Sequence, residues 1–194
     1  MQLIPQALVG TTVLLSPLSD EQLPELTRAA LSAPEVWTHF PYRMGSVEDV
    51  ARVAALALEL QARGDALPFS TRLRQTGELI GGTTIRLVDR SVPSVEIGGT
   101  WIRPPWQRTR VNSEAKFLQL SHCFEQLGCQ RVELKTDVLN LRSRAAIRRL
   151  GATEEGVLHS HMRRADGSLR DSVLFSIIAP DWPALRGRLQ MRLG

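Results

Sequence analysis

The stretch Trp106-Gln-Arg-Thr-Arg-Val-Asn-Ser-Glu-Ala-Lys116 decides how the rest of this chain is read. It follows a strand-like run over 94–102 and opens an amphipathic helix over 111–127. The first turn of a helix carries backbone N–H groups with no partner inside the helix, at the positive end of its dipole. A phosphate suits that position, and Arg108 and Arg110 add charge in the same bend. Strand, basic turn and helix start together point to a phosphorylated ligand.

Working outward, the helix shows Phe117, Leu120, Phe124 and Leu127 at spacings of three, four and three, with Gly128 as a stop. Residues 131–137 alternate polar with apolar, as a strand does, and 142–150 form a short helix ended by Gly151. Strands over 154–162 and 170–178 are joined by the hairpin turn Ala165-Asp-Gly167. Upstream, 12–15 reads as a strand, and Ser19-Asp-Glu-Gln22 has the pattern of a capping box for a helix reaching about Ala30. A loop over 34–44 precedes a second helix capped by Ser46 and stopped near Gly64. Strands at 67–74, 79–87 and 94–102 follow, and Asp181 starts a last, basic helix. The alternation predicts an α/β protein, one mixed sheet with helices on its faces. No linker divides it, so residues 1–194 are expected to form a single domain.

Composition narrows the partners. A formal charge of +4 favours anionic ligands slightly but is too small and too evenly spread to indicate nucleic acid. The two cysteines, Cys123 and Cys129, match no zinc spacing and make no disulfide framework. No apolar run approaches a membrane span and no basic–apolar leader opens the chain, so the default setting is reducing and cytoplasmic, without a membrane partner.

Four pieces in order, Glu96-Ile-Gly-Gly-Thr-Trp101, residues 106–116, Asn140 to Ala152 and Asp166-Gly-Ser-Leu-Arg-Asp171, resemble the GNAT superfamily of acetyl-CoA-dependent N-acetyltransferases. Within it the chain resembles the RimJ/RimL branch, named for acetyltransferases of ribosomal-protein N-termini. The resemblance implies a twisted mixed sheet of about seven strands with helices on both faces. It also implies acetyl-CoA as co-substrate without a metal, and a primary amine as acceptor: a protein N-terminus, an amino acid or a small amine. A homodimer stays open. The cofactor-binding positions it implies are Gly99, Trp101 and Ile102 on the strand, then Gln107, Arg108, Thr109, Arg110, Val111 and Asn112, then Asn140 and Ser143.

Two departures from the family pattern stand out. The small residues of its pyrophosphate loop are Arg110 and Asn112 here, and its usual tyrosine acid is Ile147. Acetyl transfer to an amine needs a base for the ammonium, donors for developing negative charge and help for the leaving thiolate. The resemblance implies Glu96 as the base, the alternative being an acid that faces solvent or pairs with an arginine. It implies Ser143 as the proton source in place of the tyrosine, the alternative being a thiolate that leaves to water unaided. It also implies Asn140 as a hydrogen-bonding group that serves as a helix N-cap as well. An acid half-buried on an apolar strand is expected to have a raised pKa. Gly98-Gly99 inside a strand should mark a bulge or a close backbone approach. The resemblance implies that a bulge there helps two parallel strands part, leaving a slot walled by 99–102 and 136–140. His159, His161 and Arg163 share one strand face by period two and are read as a solvated face.

Two readings of other classes are kept beside this one. A non-catalytic acyl-CoA-binding module is favoured by Arg110 and Ile147. A nucleic-acid partner would use Arg186, Arg188 and Arg192 on the last helix, but no aromatics interleave with them, so that reading ranks last.

Overall fold

The computed structural model describes residues 1–194. Its strands are β1 (Leu8–Val9), β2 (Val13–Pro17), β3 (Ala66–Leu73), β4 (Leu79–Asp89), β5 (Ser94–Ile102), β6 (Arg131–Asp137), β7 (Thr153–Arg163) and β8 (Leu169–Ile178). Its helices are α1 (Leu23–Leu31), α2 (Val47–Ala62), α3 (Arg110–Ser121), α4 (Leu141–Leu150) and α5 (Trp182–Leu193). The strands form one mixed sheet in the order β1-β2-β3-β4-β5-β6-β8-β7. The strand beyond the expected seven is β1, a two-residue edge too short for alternation to reveal.

Local chemistry sets most boundaries. Ser46 caps α2 by accepting from the Asp49 amide at 3.2 Å. Gly151 ends α4 at φ +95°, a left-handed turn that glycine adopts without strain. The capping box expected at Ser19 does not form. Ser19 makes no side-chain capping bond, a 3-10 turn (Asp20–Gln22) intervenes, and Pro24, already set at a helical φ, lies in the first turn of α1. The long helix also ends earlier than its apolar spacing suggests, at Ser121, and a π-helical turn (His122–Gln126) carries the same apolar face onward.

Apolar side chains from both faces build two cores. One lies beneath α1 and α2 and joins Leu26, Ala30, Val50 and Ala54 to Leu79 and Trp101. The other lies beneath α3 and α5 and joins Val111, Leu120, Leu185 and Leu189 to Val95, Val132 and Phe175. Each large side chain so buried stabilises the fold by roughly 1.5–3 kcal/mol. A buried carboxylate fixes α3 to the sheet's first strands. Glu114 accepts from the amides of Thr11, Thr12 and Val13 and from the Thr11 hydroxyl at 2.6–2.8 Å. Burial pushes its pKa up, but these four bonds outweigh it and hold the group below the ordinary carboxylate value. Gly10 is small for this reason: a Cβ there would meet the Glu114 carboxyl carbon at 2.6 Å.

One junction in the sheet is parallel, and it is short. β5 and β6 pair at three positions, Ser94–Arg131, Val95–Val132 and Glu96–Glu133, and form no rung beyond them. At the opposite edge, the period-two face expected for His159, His161 and Arg163 is broken. Register slips between Leu158 and Met162, with Ser160 at φ +51° and its amide held by Asp171 at 2.7 Å. The slip puts His159 against Asp171 and leaves His161 within the electrostatic reach of Lys135, Arg170 and Glu96.

Candidate active site

The site grows from the parting of β5 and β6. Three steps along β5, from Gly98 to Trp101, span two along β4, from Thr84 to Gly82, so β5 carries a bulge with Gly99 at φ +59°. Gly98 has a different role. A Cβ there would lie 2.6 Å from Glu96 Oε1, so the missing side chain is the room the Glu96 carboxylate occupies. Past Glu96, β5 has no β6 ladder partner, which leaves main-chain groups along the parting to be satisfied otherwise.

Glu96 stands at the last parallel rung, where the strands separate. It is charge-paired, and its partner is a lysine of the neighbouring strand where the sequence suggests an arginine. Lys135 Nζ reaches it at 3.2 Å and reaches Glu133 at 2.9 Å, so the carboxylate belongs to a charge-paired row. The cause is register: in a parallel pair Glu96 lies beside Glu133, and the cation two residues on serves both. Behind the bulge sits a second lysine. Lys116 of α3 is buried and donates to Thr100 Oγ1 at 2.7 Å, Gln119 Oε1 at 2.9 Å and Thr83 Oγ1 at 3.2 Å. Burial drives its pKa down to about 7.

The loop before α3 is held from several sides. Gln107 donates to the Ile102 carbonyl at 2.7 Å and accepts from Arg142 of α4, so it spans from the end of β5 to the helix that follows β6. Arg108 takes φ +61°, a strained conformation for any residue that carries a Cβ. Thr109 is the N-cap: it accepts from the Val111 amide at 3.3 Å and donates to the Trp106 carbonyl at 2.7 Å. Arg110, at a position where the family prefers a small residue, turns away from the loop and donates to the carbonyl of Leu193 at the end of α5. Asn112 and Arg110 line a cavity of about 300 Å³ at the start of α3, together with Arg108, Arg149 and Arg192. Val111 is instead buried in the core.

Of the remaining expected residues, Asn140 caps α4 through its Oδ1, which accepts from the Ser143 amide at 3.0 Å. Ser143 therefore lies in the first turn of α4, immediately after the β6 wall. Ile147 is buried in the core beneath α3 and α5. Trp101 is buried in the core beneath α1 and α2, 5.0 Å from Trp37 between ring centres and with its Nε1 over Gly82. It thus fills core and lines no part of the arginine cavity, while Ile102, on the other face, joins the core beneath α3.

On the far side of the parting, Asp137 closes β6. It is 1% exposed, accepts from Arg164 at 2.6 Å and from the Leu139 amide at 2.9 Å, and lies 3.9 Å from Arg170 Nε. Burial pushes its pKa up, but Arg164 and the amide prevail and hold it below the usual value. Arg170 is buried and donates to the His39 carbonyl at 3.3 Å, joining the β7–β8 hairpin to the early loop. Tyr42 in that loop is pushed up to about 12 by burial. Sequence reading misses Asp137, Arg164 and Arg170 because their partnership depends on which strands become neighbours. The one available signal is period two along β6, which puts Asp137 on the same charged face as Glu133 and Lys135.

Taken together, the donor set suits a thioester ligand of the coenzyme A type. Four arginines and no acid line the cavity at the start of α3, and the β5–β6 ladder ends at Glu96, so phosphates and a hydrogen-bonding arm are the chemistry these groups would accept. The family model described as the acetyltransferase (GNAT) domain matches residues 12–153. The chain belongs to the GNAT acetyltransferase family. It is 26% identical over 172 residues to a Bacillus subtilis (strain 168) protein with the provisional name ribosomal N-acetyltransferase YdaF, covering 89% of this chain and 92% of that one. A provisionally named acetyltransferase from T. thermophilus superposes with a TM-score of 0.86 at 31% identity over 100% of both chains. Mycobacterium smegmatis RimJ in complex with CoA-disulfide shares the fold, with a TM-score of 0.79 at 24% identity over 96% of this chain and 91% of that one. The likeness is to the RimJ/RimL branch, and the chain is an acetyl-CoA-dependent acyltransferase.

Proposed function

We propose that this protein transfers an acetyl group to a primary amine, with a protein N-terminal α-amine, an amino acid or a small amine as acceptor. The observation that carries this reading is the three-rung parallel junction of β5 and β6, together with the arginine cavity at the start of α3, the helix that follows β5. Acetyl-CoA, when bound, supplies the activated acetyl group as a thioester. Everything else falls to the chain. The loop over 107–112 and α3 hold the phosphates, and the β5 edge from Gly99 to Ile102, with 136–140 opposite, orients the arm. Asn140 and Ser143 stand at the head of α4 where that arm would pass.

Glu96 takes the proton of the acceptor ammonium, directly or through water, and Lys135 holds the carboxylate in place. If a free cysteine stands for the leaving thiol, its pKa near 8.5 lets the thiolate depart tolerably without a strong acid. Ile147 in place of a tyrosine therefore does not forbid turnover. Ser143, the hydroxyl at the head of α4, would give its proton to the departing thiolate and regain one from water. An α-amine titrates near 8 and a lysine near 10.4, so lysine is harder to present neutral at pH 7 by about 3.3 kcal/mol. A site with one paired carboxylate as its base suits the less basic amine. The paired charges on the acceptor side, Asp137 with Arg164 and Glu96 with Lys135, support an acceptor read by shape and hydrogen bonding.

The test is a panel of α-amines, free amino acids and lysine-side-chain peptides with acetyl-CoA, read by free-thiol release. Turnover with an α-amine is expected, and Glu96→Gln should lower kcat/KM by roughly 10²–10⁴-fold. Stabilisation by acetyl-CoA with no turnover on any amine would leave the non-catalytic binding module. No thermal shift at millimolar acetyl-CoA would remove both.

A further inference from the structure

The last helix lies outside the stretch that the family model describes, yet it forms one wall of the arginine cavity. We propose that α5 is part of the cofactor site and that Arg192, with Arg149 of α4, grips the 3′-phosphate of coenzyme A, so that the chain selects the 3′-phosphorylated cofactor over its dephospho form. This rests on the acetyl-CoA reading above and adds to it a specificity element that the helix supplies.

Packing places α5 there with little freedom. Trp182 at its start stacks on Phe124 at 5.3 Å and donates from Nε1 to Glu125 at 2.9 Å. Leu185 presses on the end of α4 so closely that a Cβ at Gly151 would lie 2.7 Å from it. Two ties then fix the far end. Arg192 donates to the Arg149 carbonyl at 2.6 Å, and Arg110 donates to the Leu193 carbonyl. Both acceptors sit in the last turns of helices, where carbonyls lack intrahelical partners and the dipole is negative. Each guanidinium is thereby held at the cavity wall by one arm and keeps further N–H donors for a ligand.

Charge points the same way. Arg108, Arg110, Arg149 and Arg192 line one cavity, its lining contains no carboxylate, and none of the four enters an ion pair. Their neighbours do pair: Arg148 of α4 with Glu154, and Arg186 of α5 with Glu125 at 3.2 Å. Four like charges gathered without a counter-charge repel one another and favour a polyanion. A diphosphate at the loop leaves the α4–α5 wall to face a second anionic group. A phosphate monoester carries roughly −1.5 to −2 at pH 7 and offers three oxygens to forked guanidinium donors.

Calorimetric titration of the whole protein with coenzyme A, dephospho-coenzyme A and adenosine 3′,5′-bisphosphate tests this without turnover. The wild type should bind coenzyme A at least tenfold more tightly than the dephospho form. Arg192→Gln should weaken coenzyme A about tenfold and leave the dephospho form unchanged, and Arg149→Gln should act alike. Arg186→Gln, on the same helix but paired with Glu125, should change neither. Equal affinity of the wild type for both forms, or an equal loss on both in Arg192→Gln, overturns the assignment while the transferase reading stands. Absence of binding to all three ligands overturns both. Unliganded melting curves check that the variants keep their fold, and Arg149→Gln decides the matter if Arg192→Gln does not fold.

Discussion

Arginines flank the parting of β5 and β6 on both sides, and the fold treats the two groups oppositely. Toward the α3–α4–α5 side, Arg108, Arg110, Arg149 and Arg192 meet a shared cavity with no acid among them. Toward the β7–β8 side, Arg164 and Arg170 converge on Asp137, and Lys135 on Glu96 and Glu133. The first arrangement keeps its charge for an anionic ligand of fixed chemistry. The second neutralises itself, so gross charge does not choose what binds there. In the proposed function, the first side would serve a constant guest and the second would discriminate by contact.

The strongest challenge to that contrast is Asp137→Ala. It would leave Arg164 and the buried Arg170 without their shared carboxylate, and breaking such a buried pair costs about 3–5 kcal/mol. Urea unfolding should show that loss, whereas Arg149→Ala should stay within about 0.5 kcal/mol of wild type. Similar values for the two variants would erase the distinction. Because Asp137 is held below its unfolded pKa, its contribution is present above that value and fades as pH falls through the native one.

Lys116, beneath the bulge between the two sides, gives a subtler check. Its native pKa of about 7 lies below the unfolded lysine value of about 10.4. Between the two the unfolded chain binds a proton that the native one does not, so stability climbs as pH rises from about 7 toward 10. The slope from this group is at most about 1.4 kcal/mol per pH unit. Lys116→Met should flatten the curve of urea midpoint against pH, and parallel curves would show that Lys116 stays charged, held by its three acceptors.

The smallest expected effect sharpens the picture of the loop. Arg108 holds φ +61°, which a residue with a Cβ adopts at a cost of about 1–2 kcal/mol. Glycine removes that strain but adds unfolded-state freedom, so Arg108→Gly should raise the unliganded stability by about 0.5 kcal/mol. It should at the same time weaken coenzyme A several-fold. A variant that is less stable and binds no worse would remove Arg108 from the cavity's function.

Much of the architecture is legible in the residues alone because its signals are local. The bounds of β5 and β6, the Ser46 and Asn140 caps and the stop at Gly151 depend on a few neighbours in sequence. Ser19 misleads because a capping pattern competes with the proline five residues on. His159, His161 and Arg163 are solvent-exposed as expected, but a register slip interrupts their alternation on β7 and leaves no trace in composition. Glu96 lies where the chain's pattern puts it, but its partner comes from a strand that only tertiary pairing brings alongside. For the same reason Arg192 reads in the sequence only as one of three arginines a nucleic acid would meet on the last helix, and its place beside α4 shows only once α5 is docked.

Three rungs are a thin hinge for an eight-stranded sheet. Five strands lie to one side of it and three to the other, and helices α3 and α5 act as the clasp across them. A guest wedged along that hinge is therefore masonry as well as cargo. Its grip on both halves becomes part of what keeps them one body, by an amount that grows with the logarithm of its concentration.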